Sequence, residues 1–199
     1  MVGVLGGTFD PVHLGHLACA RLAADTLGLD RVLVIPAGEP QLRSTAPVAA
    51  AADRWAMVEL ACAGDNRLVP CRLELDRPGP TYTVDTLATL AEQGYQRPVL
   101  ILGADVLDSL DRWRDPARLC AQAVLAICPR PGVAGHVATA ARKLRRRWRA
   151  EVVVLPPSPL PTSASQVRDL IRAGGAWRHL LPAAVADYIR DHQLYGTVG

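Results

Sequence analysis

Short apolar runs alternate along the chain with longer stretches whose apolar residues recur every three or four positions. The runs Val2 to Leu5, Arg31 to Ile35, Leu68 to Leu75, Val99 to Leu102, Val124 to Cys128 and Glu151 to Leu155 predict strands. The periodic stretches between them predict helices over Leu14 to Leu27, Val48 to Ala63, Val84 to Glu92, Val106 to Leu110, Pro116 to Gln122 and Ala138 to Arg149. Strand and helix alternation of this kind implies right-handed βαβ crossovers. The expected fold class is therefore α/β, a doubly wound, mainly parallel sheet with helices on both faces. After the last strand the pattern changes. Pro156, Pro157, Pro159 and Pro161 stiffen the chain, and helical stretches follow at Ser165 to Arg172 and Ala183 to His192. This organisation predicts a single domain over 1–199, with an α/β core over 1–155 and a helical C-terminal portion over 156–199.

Composition narrows the class further. Half of the 199 residues are apolar and 21% are charged, which excludes an intrinsically disordered chain and a coiled-coil rod. No stretch approaches the ~18 to 20 apolar residues of a membrane span, and the N-terminus lacks a signal-peptide pattern, so a cytoplasmic protein is expected. The five cysteines, Cys19, Cys62, Cys71, Cys120 and Cys128, are odd in number and have no CxxC spacing, which argues against a disulfide framework and a cysteine-built zinc site. They read as small apolar core residues.

Net charge is only +3, but Lys143 is the sole lysine among 22 basic residues. Arginine suits bidentate contacts with phosphate, although such usage equally reflects genome composition. The basic run from Arg142 to Arg149 reads as a solvated helix face anchored by Leu144 and Trp148 at i,i+4, so no nucleic-acid partner and no membrane are expected.

Candidate chemistry begins where the first strand ends, at Gly6-Gly7-Thr8-Phe9-Asp10-Pro11, before a helix that starts near His13-Leu14-Gly15-His16. In an open parallel sheet ligands bind beyond the carboxyl ends of the strands, where a helix N-terminus presents unpaired N–H groups to an anion. The spacing is neither GxGxxG nor GxxxxGK[ST]. His13 and His16, three apart, fall on one side of the helix, where both imidazoles can donate to phosphate oxygens. Two turn histidines, or an HxxH metal half-site without a third ligand, fit the same letters. Near the C-terminus Ser163 or Ser165 caps a helix carrying Arg168, either a second anion site or an ordinary capped helix.

The segment GGTFDPVHLGH resembles the N-terminal signature of the HxGH nucleotidyltransferases, most closely the bacterial nicotinate-nucleotide adenylyltransferases of NAD biosynthesis. Later landmarks occur in the same order: Gly79-Pro80-Thr81-Tyr82-Thr83-Val84-Asp85-Thr86-Leu87, Leu102-Gly103-Ala104-Asp105 with Trp113, Arg130-Pro131-Gly132, and Thr162-Ser163-Ala164-Ser165-Gln166-Val167-Arg168. The resemblance implies a Rossmann-like sheet and transfer of AMP from ATP, with Mg2+, to nicotinate mononucleotide. It implies an ATP site of Gly6, Gly7, Thr8, Phe9, His13, Gly15, His16, Gly103, Asp105, Ser163, Ser165 and Arg168. His13, His16 and Arg168 would be the catalytic set. Thr8, Arg43, Thr81, Tyr82, Thr83, Trp113 and Arg130 would meet the acceptor, with no metal held by the protein itself.

Residue by residue, alternatives stand beside these roles. Trp113 stacks on a pyridine ring or fills the core; Asp105 accepts from sugar hydroxyls or caps a helix; Arg43 reaches phosphate or is a solvated loop charge. Two departures from the family pattern stand out. Its PxxxPPHK segment is Pro36-Ala37-Gly38-Glu39-Pro40-Gln41-Leu42-Arg43 here, and its ISSTxIR-like segment carries Thr162 and Ala164 in place of an apolar residue and a serine. The alternatives in function are adenylylation of nicotinamide mononucleotide or phosphopantetheine on the same fold, or a nucleotide-binding regulatory protein that has lost catalysis. A homo-oligomer is compatible with the sequence.

Overall fold

The computed structural model describes residues 1–41, 46–130, 134–158, 160 and 162–197. In chain order the elements are β1 (Val2–Gly7), α1 (Leu14–Leu27), β2 (Arg31–Pro36), β3 (Glu39–Pro40), α2 (Ala51–Cys62), β4 (Leu68–Pro70), β5 (Pro80–Thr81) and α3 (Thr83–Glu92). They continue with β6 (Val99–Gly103), a 3-10 segment (Ala104–Arg112), α4 (Pro116–Gln122), β7 (Val124–Cys128), α5 (Ala134–Trp148), β8 (Val152–Val154), α6 (Ala164–Arg172) and α7 (Ala183–Asp191). Six strands form one sheet in the order β4-β2-β1-β6-β7-β8, every pair parallel. The expected doubly wound sheet is present, with its order reversing between β1 and β6.

Period-two alternation divides each strand between two cores. Val32, Val34, Val99, Ile101 and Ala126 face the side covered by α1, α2, α6 and α7, whereas Leu33, Ile35, Leu100, Leu102 and Leu125 face α3, α4 and α5. Apolar residues at consecutive positions therefore mark strands buried on both faces. Helix α1 closes at Gly28, whose φ of 61° and ψ of 44° place it in the left-handed region that glycine enters without strain. On α5, Val137, Ala141 and Leu144 are buried, while Lys143 and Arg147 turn outward to pair with Asp111.

Two expectations need correction, and one pairing had no counterpart in the sequence pattern. The strand read over Leu68 to Leu75 ends at Pro70, because after Cys71 donates to the Val34 carbonyl the chain turns and Asp76 N–H bonds back to Arg72. The helix read at Val106 to Leu110 is a 3-10 segment over Ala104–Arg112. A two-residue pairing of β3 with β5 has no hydrophobic run long enough to announce it.

Candidate active site

Strands β1 and β6 send their neighbours to opposite sides, and the crevice beyond their carboxyl ends opens into a cleft of about 560 Å³. That volume suits a nucleotide-sized ligand. Gly6, Gly7, Thr8 and Gly103 line it with strand-end backbone, and a Cβ added at Gly6 or Gly103 would meet no atom within 4 Å. Bare backbone at both positions leaves the approach to the sheet open. Gly15 differs: the space a side chain would need is taken by the Leu160 carbonyl at 3.0 Å and the His13 ring at 3.1 Å. Its small size serves packing around His13, and it lines the cleft as well.

The loop between β1 and α1 is held from behind by groups that the sequence reading passed over. The carboxylate of Asp10, 1% exposed, accepts from Val48 N–H at 2.8 Å, Ala49 N–H at 3.0 Å and the Tyr195 hydroxyl at 2.9 Å. Buried Arg54 on α2 donates to the carbonyls of Thr8 at 2.9 Å and Ala37 at 2.7 Å, and to that of Gly38 at 3.3 Å. It ties the end of β1 to the end of β2. Phe9, at φ 50° and 2% exposed, turns its ring beneath Gly7 and edge-on to His16. Asp10 and Arg54 gave one sequence signal each, an acid inside the glycine loop and a basic residue on the buried stripe of a helix.

His13 is the N-cap of α1, and the two histidines form a reciprocal capping box. His16 N–H donates to His13 Nδ1 at 3.3 Å, and His13 N–H donates to His16 Nδ1 at 3.2 Å. The rings stack with centroids 3.6 Å apart and 20° between planes. With each Nδ1 accepting, a neutral ring carries its proton on Nε2, so both histidines keep an N–H donor beside a helix N-terminus. Burial, with the Arg130 guanidinium adding repulsion, holds His13 down at about 4. His13 is thus a neutral donor at physiological pH.

The same shift makes apo stability depend on pH. An unfolded histidine takes up its proton near 6.5 and the folded one only near 4. The stabilisation is complete above pH 6.5 and is lost as pH falls through this window, amounting to about 3 kcal/mol. Urea unfolding of the wild type and His13→Asn at pH 7.5 and 4.5 is expected to show that extra loss only in the wild type. Equal losses would remove His13 as its source.

Thr81, Tyr82, Thr83 and Trp113, which the resemblance assigned to the acceptor, line one end of the cleft. Trp113 is half-buried, packs on the second core and directs Nε1 to Ser109 Oγ at 3.4 Å, so it serves core and cleft together. The Arg114 guanidinium lies 4.6 Å over the Tyr82 ring. Asp105 is not a helix cap; it follows the capping Gly103 and pairs with Arg130, and both line the cleft.

Glu74, which the sequence reading did not single out, also lines this end, 8% exposed, with Thr86 Oγ1 donating to Oε1 at 2.8 Å. Burial pushes its carboxyl up from the usual range. Its backbone makes a tight junction, since a Cβ on Gly38 would lie 2.4 Å from the Glu74 carbonyl oxygen and 3.0 Å from Thr81 Cγ2. Gly38→Ala is expected to destabilise the fold by about 2 kcal/mol, read as a lower urea midpoint. An unchanged midpoint would mean that the junction yields freely.

Ser163 caps α6 by accepting from Gln166 N–H at 3.1 Å, and Ser163 and Ser165 both face the cleft. Arg168 lies in the second turn of α6 and turns its guanidinium toward the loop between β1 and α1. Its Nη1 donates to the Asp10 carbonyl at 2.6 Å and its Nη2 to Ser165 Oγ at 3.4 Å, while Nε is buried with no hydrogen-bond partner. Arg43, with Pro131 and Gly132 of the RPG segment, lies outside the described residues.

The cytidylyltransferase-like family model matches residues 4–170. Proteins named as probable nicotinate-nucleotide adenylyltransferases from Roseiflexus sp. (strain RS-1) and Bordetella petrii are 41% and 42% identical, each over 98% of this chain and over 97% and 98% of their own. Among solved structures, Plasmodium falciparum nicotinic acid mononucleotide adenylyltransferase complexed with NaAD aligns with a TM-score of 0.79 at 16% identity, over 99% of this chain and 98% of its own. The same enzyme complexed with APC gives 0.77 at 15% identity over the same shares. At such identities the structural likeness concerns the fold.

Proposed function

The chain belongs to the cytidylyltransferase-like family and, within it, to the nicotinate-nucleotide adenylyltransferases, and we propose on that footing how its cleft transfers AMP from ATP to nicotinate mononucleotide. The products are nicotinate adenine dinucleotide, an intermediate of NAD biosynthesis, and pyrophosphate. A phosphate oxygen of the acceptor attacks the α-phosphorus in line as the bond to the pyrophosphate oxygen breaks. No side chain need act as nucleophile. The protein's work is to align two anions and to meet the charge that grows on the leaving group.

The observation that carries this reading is the histidine pair, which spends both Nδ1 atoms on capping α1 and so places the proton of each neutral ring on Nε2, the nitrogen that would donate to phosphate. ATP lies along Gly6, Gly7, Thr8 and Gly103, with its β and γ phosphates between the histidines and the Ser163 and Ser165 end of α6. Arg168 supports this end from behind through the Asp10 carbonyl, and reaches phosphate only by releasing it. Trp113 stacks on the pyridine ring, and the N-terminus of α3 at Thr83 meets its carboxylate.

Magnesium enters as part of the MgATP substrate. Among the described residues no group of three or more His, Cys, Asp or Glu side chains is arranged to hold a metal. A cytoplasmic site of action follows from the same reading, and no helix among the described residues is long and apolar enough to cross a membrane.

The test is pyrophosphate release with MgATP and, in parallel, nicotinate mononucleotide, nicotinamide mononucleotide and phosphopantetheine, each product identified by mass. Release is expected with nicotinate mononucleotide. Preference for another acceptor would replace the substrate, and silence with all three despite ATP binding would support a regulatory protein.

A further inference from the structure

Two of the free cysteines meet on the floor of the cleft. Cys19 belongs to α1, one turn after His16, and Cys128 is the last residue of β7, two before Arg130. They are 109 positions apart in the chain, yet their sulfur atoms lie 2.6 Å apart, and both line the cleft. That separation is within about 0.6 Å of the ~2.05 Å covalent S–S bond. The pair is placed on neighbouring rigid elements rather than on loops, so its approach is a property of how α1 packs against the sheet.

The other cysteines differ in kind. Cys62 and Cys120 are buried, and burial pushes their thiols up to about 12 and about 11, which suppresses the reactive thiolate. Cys71 is half-buried, follows directly after β4 and is not part of the cleft lining. Cys19 alone is half-buried, cleft-facing and in contact with a second thiol. The Cys19 S–H donates to Cys128 Sγ, and the hydrogen bond between the two sulfurs, with further help from Ser158 and Arg130, holds the Cys19 thiol below its ordinary value. Cys128 is pushed in the opposite direction by the same bond and by burial. One sulfur is set to attack, the other to follow.

We propose that Cys19 and Cys128 form a site of reversible oxidative modification, closing to a disulfide across the floor of the nucleotide cleft when the protein meets a peroxide. The Cys19 thiolate attacks one peroxide oxygen, the O–O bond breaks, and the departing hydroxide takes a proton to become water. Cys19 is then a sulfenic acid. The Cys128 sulfur attacks the Cys19 sulfur, the S–OH bond breaks, and the hydroxide leaves with the Cys128 proton as a second water. In sum two thiols are oxidised by two electrons and one peroxide is reduced to two waters. A thiol reductant reverses the change by exchange through a mixed disulfide. In a reducing compartment such a bond is transient, as expected of a redox-responsive site. The bond would tie the helix that carries both histidines to the strand that leads into Arg130.

Titrating the purified full chain with hydrogen peroxide and following intact mass and proteolytic peptides tests the site directly. The expected result is loss of two hydrogens, a linked peptide containing Cys19 and Cys128, and recovery of both thiols with dithiothreitol. Cys128→Ser removes the resolving sulfur, so Cys19 is expected to accumulate as sulfenic acid and to raise dimedone labelling several-fold over wild type. The proposal is overturned if peroxide adds oxygen to Cys19 in the wild type without forming the link. It is also overturned if another pair of cysteines is joined instead, or if dimedone labels wild type and Cys128→Ser equally. These readouts do not depend on turnover, so they stand apart from the proposed reaction.

Discussion

His16→Ala is expected to lower kcat by about 100- to 1000-fold while leaving the fold intact, the range found when one preorganised donor to a developing charge is removed. The reasoning starts from the capping box. His16 Nδ1 accepts from His13 N–H, so the neutral ring holds its proton on Nε2 at the rim of the cleft. Charge on the leaving pyrophosphate grows only as the bond to the α-phosphorus breaks, so this donor acts mainly in the transition state. KM for ATP should move much less than kcat. The variant also loses one half of the capping box, a cost of about 1 kcal/mol in stability, which a thermal melt will report separately. Activity within a few-fold of wild type would end the phosphate role of His16; a fall in kcat explained by unfolding at the assay temperature would do so too.

The distinction between what the sequence disclosed and what it hid follows interaction range. Helices α1 and α4 match the expected bounds, as does β7, because each is written in a local period and closed by its own neighbours: Gly28 after α1, and the Asp115 side chain accepting from Arg118 N–H before α4. The histidine pair was legible for the same reason, since i,i+3 spacing on a helix is local information. What stayed hidden is made by residues far apart in the chain. Asp10 is one letter in a glycine-rich loop until Tyr195, 185 positions away, is folded onto it. Arg54 looks like any helical arginine until three carbonyls from two strand ends converge on it. Glu74 stood inside an apolar run that suggested a longer strand, and the turn that ends β4 early is what brings it to the cleft.

Arg168 shows the converse, a residue found by motif whose surroundings were not foreseen. Its guanidinium, expected to grip phosphate, supports the loop between β1 and α1 at the Asp10 carbonyl. The five cysteines divide likewise. Cys62, Cys120 and Cys128 are buried as their apolar character suggested, whereas Cys71 is half-buried after β4 and Cys19 is half-buried at the cleft.

Because so much of the loop's geometry hangs on one carboxylate, Asp10→Asn is expected to cost about 4 kcal/mol in stability despite its near-identical shape. The Asp10 oxygens take three donors, Val48 N–H on one and Ala49 N–H with the Tyr195 hydroxyl on the other. An amide has one acceptor oxygen, so its NH2 must face at least one of these N–H groups, in a site only 1% exposed where water gives no relief. The Arg168 guanidinium, 3.8 Å from Oδ2, loses its neighbouring negative charge at the same time. Tyr195→Phe isolates the smallest part of this network, deleting one hydroxyl and leaving both backbone donors satisfied, and should cost only about 1 kcal/mol. Urea unfolding of the three proteins at one pH gives the comparison. The loop carries Asp10 three residues before His13, so kcat should fall in Asp10→Asn even at a temperature where the variant remains folded. If Asp10→Asn is no more destabilised than Tyr195→Phe, the carboxylate is not the anchor of the loop, and the convergence of α2, α6 and the C-terminal turn on Asp10 would be packing without consequence for the cleft.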